Sequence, residues 1–142
     1  MVTFLDKNLK KEIIHAITLA EKMTSGEIRV HIQARCKEDA LHDAKKVFHR
    51  LKMHTTRERN GVLIFIALES KKFAILGDKG IHEKVGDSFW NETLDKMIEH
   101  FKKNQINEGI IEGIKNTGEK LKTYFPRKTD DKNELPNTVS EK

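Results

Sequence analysis

One cysteine, Cys36, is all the thiol this chain carries, so no internal disulfide can staple it and no thiolate cluster can hold zinc. Any metal chemistry must use oxygen or imidazole ligands. No apolar run approaches the about 20 residues needed to cross a bilayer. Near the N-terminus Leu5 gives way at once to Asp6, Lys7 and Asn8, so the apolar core of a secretory signal is missing as well. Aromatic residues make up 6% of the chain and are not interleaved with the basic ones, which leaves the net charge of +5 without platforms for stacking bases. Lys7, Lys10, Lys11 and Lys22 sit among Glu12 and Glu21, the pattern of a solvated helix face rather than a nucleic-acid groove. Internal repeats and EF-hand spacing are absent. The expectation is a soluble, cytoplasmic, monomeric protein of 142 residues, long enough to bury a core without staples.

What is present is concentrated in residues 60–80, NGVLIFIALESKKFAILGDKG. The unbroken apolar run from Val62 to Leu68 suits a strand buried on both faces of a sheet. Glu69, Ser70, Lys71 and Lys72 form a polar turn, and Phe73 to Leu76 is apolar again. A connection this short returns the chain antiparallel, because a parallel return needs a crossover of about a dozen residues or more. The segment Gly77-Asp78-Lys79-Gly80 must then lie beside Arg57-Glu58-Arg59-Asn60-Gly61.

The flanking chain supplies the remaining layers. Leu9, Ile13, Ile17 and Ala20 mark an amphipathic helix that ends at Thr24-Ser25-Gly26. Ile28, Val30, Ile32 and Ala34 alternate with Glu27, Arg29, His31 and Gln33, predicting a strand with one buried and one polar face. Ala40, Ala44, Val47, Phe48 and Leu51 predict a second helix, with Asp39 near its positive end. Strand, helix, strand in that order is a right-handed crossover, so the first two strands are expected to be parallel. A loop or short turn over residues 81–86 precedes a helix carrying Trp90, Leu94, Met97, Ile98 and Phe101, and a last helix carries Ile110, Ile111, Ile114 and Leu121. Beyond Pro126 the chain lacks any apolar period, and residues 126–142 are expected to be a disordered polar tail. The fold class is α/β, a three-layer α/β/α sandwich with a small mixed central sheet.

In that topology the starts of the first two strands and the end of the third share one rim, which gathers Glu27, Glu58, Asn60, Asp78 and Asp87. Hard cations such as calcium take six to eight oxygen ligands from such a mixture of carboxylates, amide oxygens and carbonyls. Arg57, Arg59 and Lys79 lie in the same segments and could neutralise those carboxylates as ordinary ion pairs. Other candidates are weaker. His42 and His49 are two helical turns apart, Cys36 reads as a buried structural residue, and Gly77-x-x-Gly80 lacks the further glycines of a phosphate loop.

The ordered set Thr24-x-Gly26-Glu27-Ile28-x-Val30, Asn60-Gly61-Val62-Leu63-Ile64, Ile75-x-Gly77 and Gly109-Ile110-x-x-Gly113-Ile114 resembles the TPM domain family over residues 5–125. That family includes thylakoid-lumen phosphatase-like proteins, photosystem II repair proteins and a receptor modulator. The resemblance implies an α/β/α fold with a divalent-cation site, usually calcium, on loops at the sheet rim, and acid phosphatase activity as assigned to a plant member. By family position Glu27 matches the acidic residue opening the first strand, and Asp87 the aspartate closing the segment after the return strand. Asp78 departs from the family pattern, standing in a loop one residue longer, and its added carboxylate leaves room for one or two ions. The expected function is a module binding Ca2+, Mg2+ or another divalent cation, whose ion orders the loops of residues 53–60 and 77–88 and so modulates a protein partner. The alternative is a metal-assisted phosphatase at the same rim, with Arg57, Arg59 or Lys79 holding phosphate and His82 as a candidate acid.

Overall fold

The computed structural model describes residues 7–127 and 134–141. Five helices and four strands follow one another as α1 (Lys7–Glu21), β1 (Glu27–Gln33), α2 (Ala40–Arg50), β2 (Gly61–Ala67), β3 (Lys72–Gly77), α3 (Lys79–Val85), α4 (Asn91–Lys102), α5 (Ile106–Tyr124) and β4 (Val139–Glu141). The sheet order is β3-β2-β1-β4. β1 runs parallel to β2 and β4, while β3 returns antiparallel to β2. The expected mixed sheet, its hairpin and its parallel crossover are therefore present.

Helices cover both faces. Val62, Ile64 and Ile66 of β2 pack with Ile13 and Ile17 of α1, Met97 of α4 and Ile110 and Ile114 of α5. Leu63, Phe65 and Ala67 turn the other way, onto Ala44, Val47 and Phe48 of α2 and Met53. An uninterrupted apolar strand is what such double burial requires, since neither face meets water. α2 starts where Asp39 accepts a hydrogen bond from the His42 amide (2.9 Å), a side-chain cap on an orphan N–H. α5 lies tight against its neighbours because it presents glycine at the contacts. A Cβ at Gly113 would fall 2.5 Å from Met97 Sδ, and one at Gly118 would fall 2.7 Å from Ala20 Cβ.

Three expectations need correction. The segment expected as a loop or short turn after Gly80 is the helix α3, capped by Asp78. The polar face of β1 is not solvated: all seven of its residues are buried. The tail beyond Pro126, expected to be disordered, packs on the domain over its described part. Pro126 bridges to Thr24, Leu135 is buried among the α2-side core, and β4 pairs with β1 from Val30↔Val139 to Ile32↔Glu141. Residues 128–133 of that tail lie outside the described residues.

The second and third corrections have one cause. Polar side chains of β1 are buried because the C-terminal segment matches them with polar partners. Arg29 Nη2 donates to Thr138 Oγ1 (3.2 Å), and His31 Nδ1 lies 2.9 Å from Ser140 Oγ. His31 also stacks on Phe65, with ring centroids 5.5 Å apart, while its Nε2 lies 2.8 Å from Gln33 Oε1. A hydrogen-bonded polar layer reads in sequence like a wet surface, because alternation records polarity and not exposure.

Candidate rim site

The rim forms as the topology requires. Glu27 pairs with Gly61 and Val62 with Gly77, so the chain ends at Gly26, Asn60 and Asp78 lie along one edge. Backbone bonds sew it together: the Glu27 amide donates to the Asn60 carbonyl (3.2 Å), the Asp78 amide to Gly61 (2.9 Å) and the Gly80 amide to Arg59 (2.9 Å).

Asp78 is the rim's central carboxylate. Its side chain is 5% exposed, and it holds Arg59 in a fork, with Arg59 Nε 2.7 Å from Oδ2 and Nη2 3.0 Å from Oδ1. The same Oδ1 accepts the Lys79 amide (2.7 Å) as the cap of α3. Arg59 bends out of the preceding loop with a left-handed φ of 51°, and its side chain stays 44% exposed. The Asp78 carboxylate holds the guanidinium proton more firmly than usual. The ion-pair reading of the sequence thus applies at Asp78.

Glu27 occupies a different environment. It is two strands away from Asp78, about 10 Å at the usual strand spacing, and its Oε1 accepts the Leu135 amide. Its Oε2 is buried with no hydrogen-bond partner among the described residues. Burial raises its pKa to about 7, against the opposing pull of the Leu135 and Glu134 amides, and the Glu134 carboxylate adds to the rise. Close by, Glu21 Oε2 accepts the Ile28 amide (2.8 Å), and burial, seconded by the charge of Glu27, lifts its pKa to about 7 as well. Arg127 and Asn137 face the same carboxylate.

The remaining expected ligands scatter. Asn60 is 2% exposed and works as a structural link, its Nδ2 donating to Ser25 Oγ (3.3 Å) and its amide to Thr56 Oγ1 (3.2 Å). Glu58 is half-buried, and its carbonyl packs against Gly80. Asp87 opens the single turn Asp87–Trp90, and its side chain lies outside the described ones. Among the described residues, no group of three or more histidine, cysteine, aspartate or glutamate side chains is placed to hold a metal ion. The five-residue constellation expected from sequence is therefore divided: Asp78 pairs with Arg59, Glu27 lies near Glu21, and Asn60 links to Ser25.

Sequence reasoning missed Glu21 and His31. Glu21 was assigned to a solvated helix face, yet it stands four residues after Ile17, on the apolar stripe of α1, and is 6% exposed. That spacing was the available signal. His42, in contrast, is at the surface and paired with Glu38 (2.7 Å). Cys36 is buried and unoxidised, and burial pushes its thiol pKa up rather than down, which fits a structural residue.

A mixed α/β sandwich, with a glycine-lined rim between parallel and antiparallel strands, defines the structural class. The TPM domain family model matches residues 1–120, and the chain belongs to that family. It is similar to the BA42 protein of the psychrophilic bacterium Bizionia argentinensis, solved by NMR, with 46% identity, a TM-score of 0.91 and coverage of 100% of this chain and 98% of that one. The N-terminal domain of a P. gingivalis protein, also solved by NMR, shares the fold at 17% identity and a TM-score of 0.69, over 85% of this chain and 78% of that chain. The comparison with curated proteins gives no match. Among the described residues no helix is long and apolar enough to cross a membrane.

Proposed function

We propose that the rim around Asp78 binds a divalent cation, with calcium the expected ion, and that binding orders the loops of residues 53–60 and 77–88 for a protein partner. The observation supporting this is the state of Asp78. A carboxylate with a 5%-exposed side chain needs a counter-charge, and the cation against it is Arg59, a long side chain still 44% exposed. A cation that took the place of Arg59 would keep the buried carboxylate compensated, while the released, already part-exposed guanidinium regains water. Asp78 would contribute one carboxylate, and Glu58, Asp87 and the loop carbonyls the further oxygens that a hard cation takes. Glu27 is better assigned to holding the C-terminal segment, since its Oε1 is committed to Leu135.

This division gives a test. On chelator-stripped protein, calcium at about 100 times its dissociation constant stabilises by about 2.7 kcal/mol. Asp78→Asn should abolish the corresponding rise in melting temperature, and Glu27→Gln should keep it. A wild-type-sized calcium response in Asp78→Asn contradicts the assignment.

The phosphatase reading rests on a second observation, that Arg59 and Lys79 both attach to the rim beside Asp78. If Arg59 leaves Asp78, its guanidinium is free to hold a phosphate. Calcium- or magnesium-dependent turnover of p-nitrophenyl phosphate, lost in Arg59→Gln, supports that reading. Absence of turnover leaves the binding module.

A further inference from the structure

One edge of the sheet lies along β3, and among the described residues no strand pairs beyond it in the order β3-β2-β1-β4. The bond from the Asp78 amide to the Gly61 carbonyl sets the alternation of the ladder. Residues 74 and 76 therefore bond to β2, and the amides and carbonyls of Phe73, Ile75 and Gly77 point away from the sheet. Natural sheets guard such edges with bulges, prolines or charges along the strand. Here the register is unbroken from Lys72 to Gly77, residues 73–76 are all apolar, and the one charge on the strand, Lys72, is turned to the Cys36 and Glu38 carbonyls. Along the edge runs a groove of about 1030 Å³, walled by Ala40, Leu41 and Lys45 of α2 on one side and by Lys79, Trp90 and Leu94 on the other.

We propose that this groove takes an extended peptide as an added strand beside β3, apolar along its centre and acidic at its flanks. The six residues of β3 span about 20 Å, room for a peptide of similar length. Backbone groups of Phe73, Ile75 and Gly77 supply the ladder, and alternate side chains enter the two apolar walls, the general logic of strand addition. Charge selects the partner. Lys45 and Lys79 are both exposed and both line the groove, Lys79 in a loose, exposed pair with Glu83 (3.8 Å), while Asp39 is occupied capping α2. Edge-to-edge pairing of two copies would bring four lysines to one groove, so an acidic strand fits where like charge opposes a second copy. The groove shares Gly77, Lys79, His82 and Gly86 with the loop of residues 77–88, but pairing along β3 does not require an ion at Asp78.

The probe is a fluorescein-labelled heptapeptide with five central apolar residues and glutamate at both ends, compared with one carrying lysine at both ends and one carrying proline at three successive central positions, which removes N–H groups in either register. Saturable anisotropy for the acidic peptide is expected, with amide shifts at Phe73, Ile75 and Gly77. The doubly substituted Lys45→Glu, Lys79→Glu protein, both changes being at exposed positions, should bind it about tenfold more weakly or worse and should gain the lysine peptide. Three results overturn the proposal. One is no saturable binding. Another is equal binding of the proline peptide, which has no N–H at those positions to donate. The last is a concentration-dependent dimer in sedimentation, with the same three amides shifted, which assigns the edge to a second copy.

Discussion

Unfolding free energy is expected to fall as pH rises from 4.5 to 7, opposite to the usual behaviour of surface carboxylates. Glu21 and Glu27 are buried, and both have folded-state pKa values raised from 4.5 to about 7. Below pH 4.5 both are protonated in either state, and neither disfavours the fold. Between 4.5 and 7 the unfolded chain releases protons that the folded chain retains, so the folded state binds more protons and stability drops with pH. Above 7 both states are ionised and the loss is complete. A rise of that size corresponds to about 3 kcal/mol for either group taken alone, a large part of the 5–15 kcal/mol typical of a domain. The two are coupled, since the charge of Glu27 contributes to the rise at Glu21, so the protons leave in two steps that belong to the pair and not to either residue. Urea denaturation at intervals between pH 4.5 and 8 measures the effect, and Glu21→Gln together with Glu27→Gln should flatten it. A stability that stays level or increases over this range contradicts the burial of these carboxylates.

The second large effect is expected from a single methyl group. A Cβ at Gly80 would sit 2.3 Å from the Glu58 carbonyl oxygen and 2.7 Å from that of Arg59. Both obstacles are backbone, and the Arg59 carbonyl is already held by the Gly80 amide at 2.9 Å, so no side-chain rotation relieves the contact. Gly80→Ala must push α3 away from the loop of residues 57–61. A cost of about 3 kcal/mol is expected, the upper end for inserting a methyl into packed structure. The displacement also pulls Asp78, the cap of α3, away from Arg59. Denaturant midpoints give the first effect and the Arg59 side-chain Nε–H resonance the second. A stability within about 0.5 kcal/mol of the parent, the range of ordinary surface substitutions, contradicts the close approach.

Local pattern carried most of the fold. The continuous apolar run from Val62 forms the doubly buried strand expected of it, ending at Ala67 with Leu68 partly buried just beyond. The short turn after it forced the antiparallel return that places Asp78 beside Gly61. Glycine-isoleucine pairs in the last helix marked the contacts where Gly109 and Gly113 meet Phe101 and Met97. The failures were long-range. β4 has one apolar residue, Val139, and is recognisable as a strand through its pairing with β1, 109 positions away at His31 and Ser140. Burial of Glu27, Arg29 and His31 follows from the same C-terminal segment, through Leu135, Thr138 and Ser140, so a polar face that reads as wet is in fact covered. At the rim, the sequence brought the right segments together but could not tell which acid meets which cation. Asp78 takes Arg59, while Glu27 turns to Leu135.

The most direct measurement of the central claim is a calcium titration of chelator-stripped protein followed by two-dimensional amide NMR. The account predicts saturable shifts at residues 57–61 and 77–88, movement of the Arg59 Nε–H as its bond to Asp78 is exchanged, and unchanged Glu27 and Leu135 resonances. Absence of shifts at millimolar calcium, or shifts centred on Glu27 and residues 134–141, would contradict it.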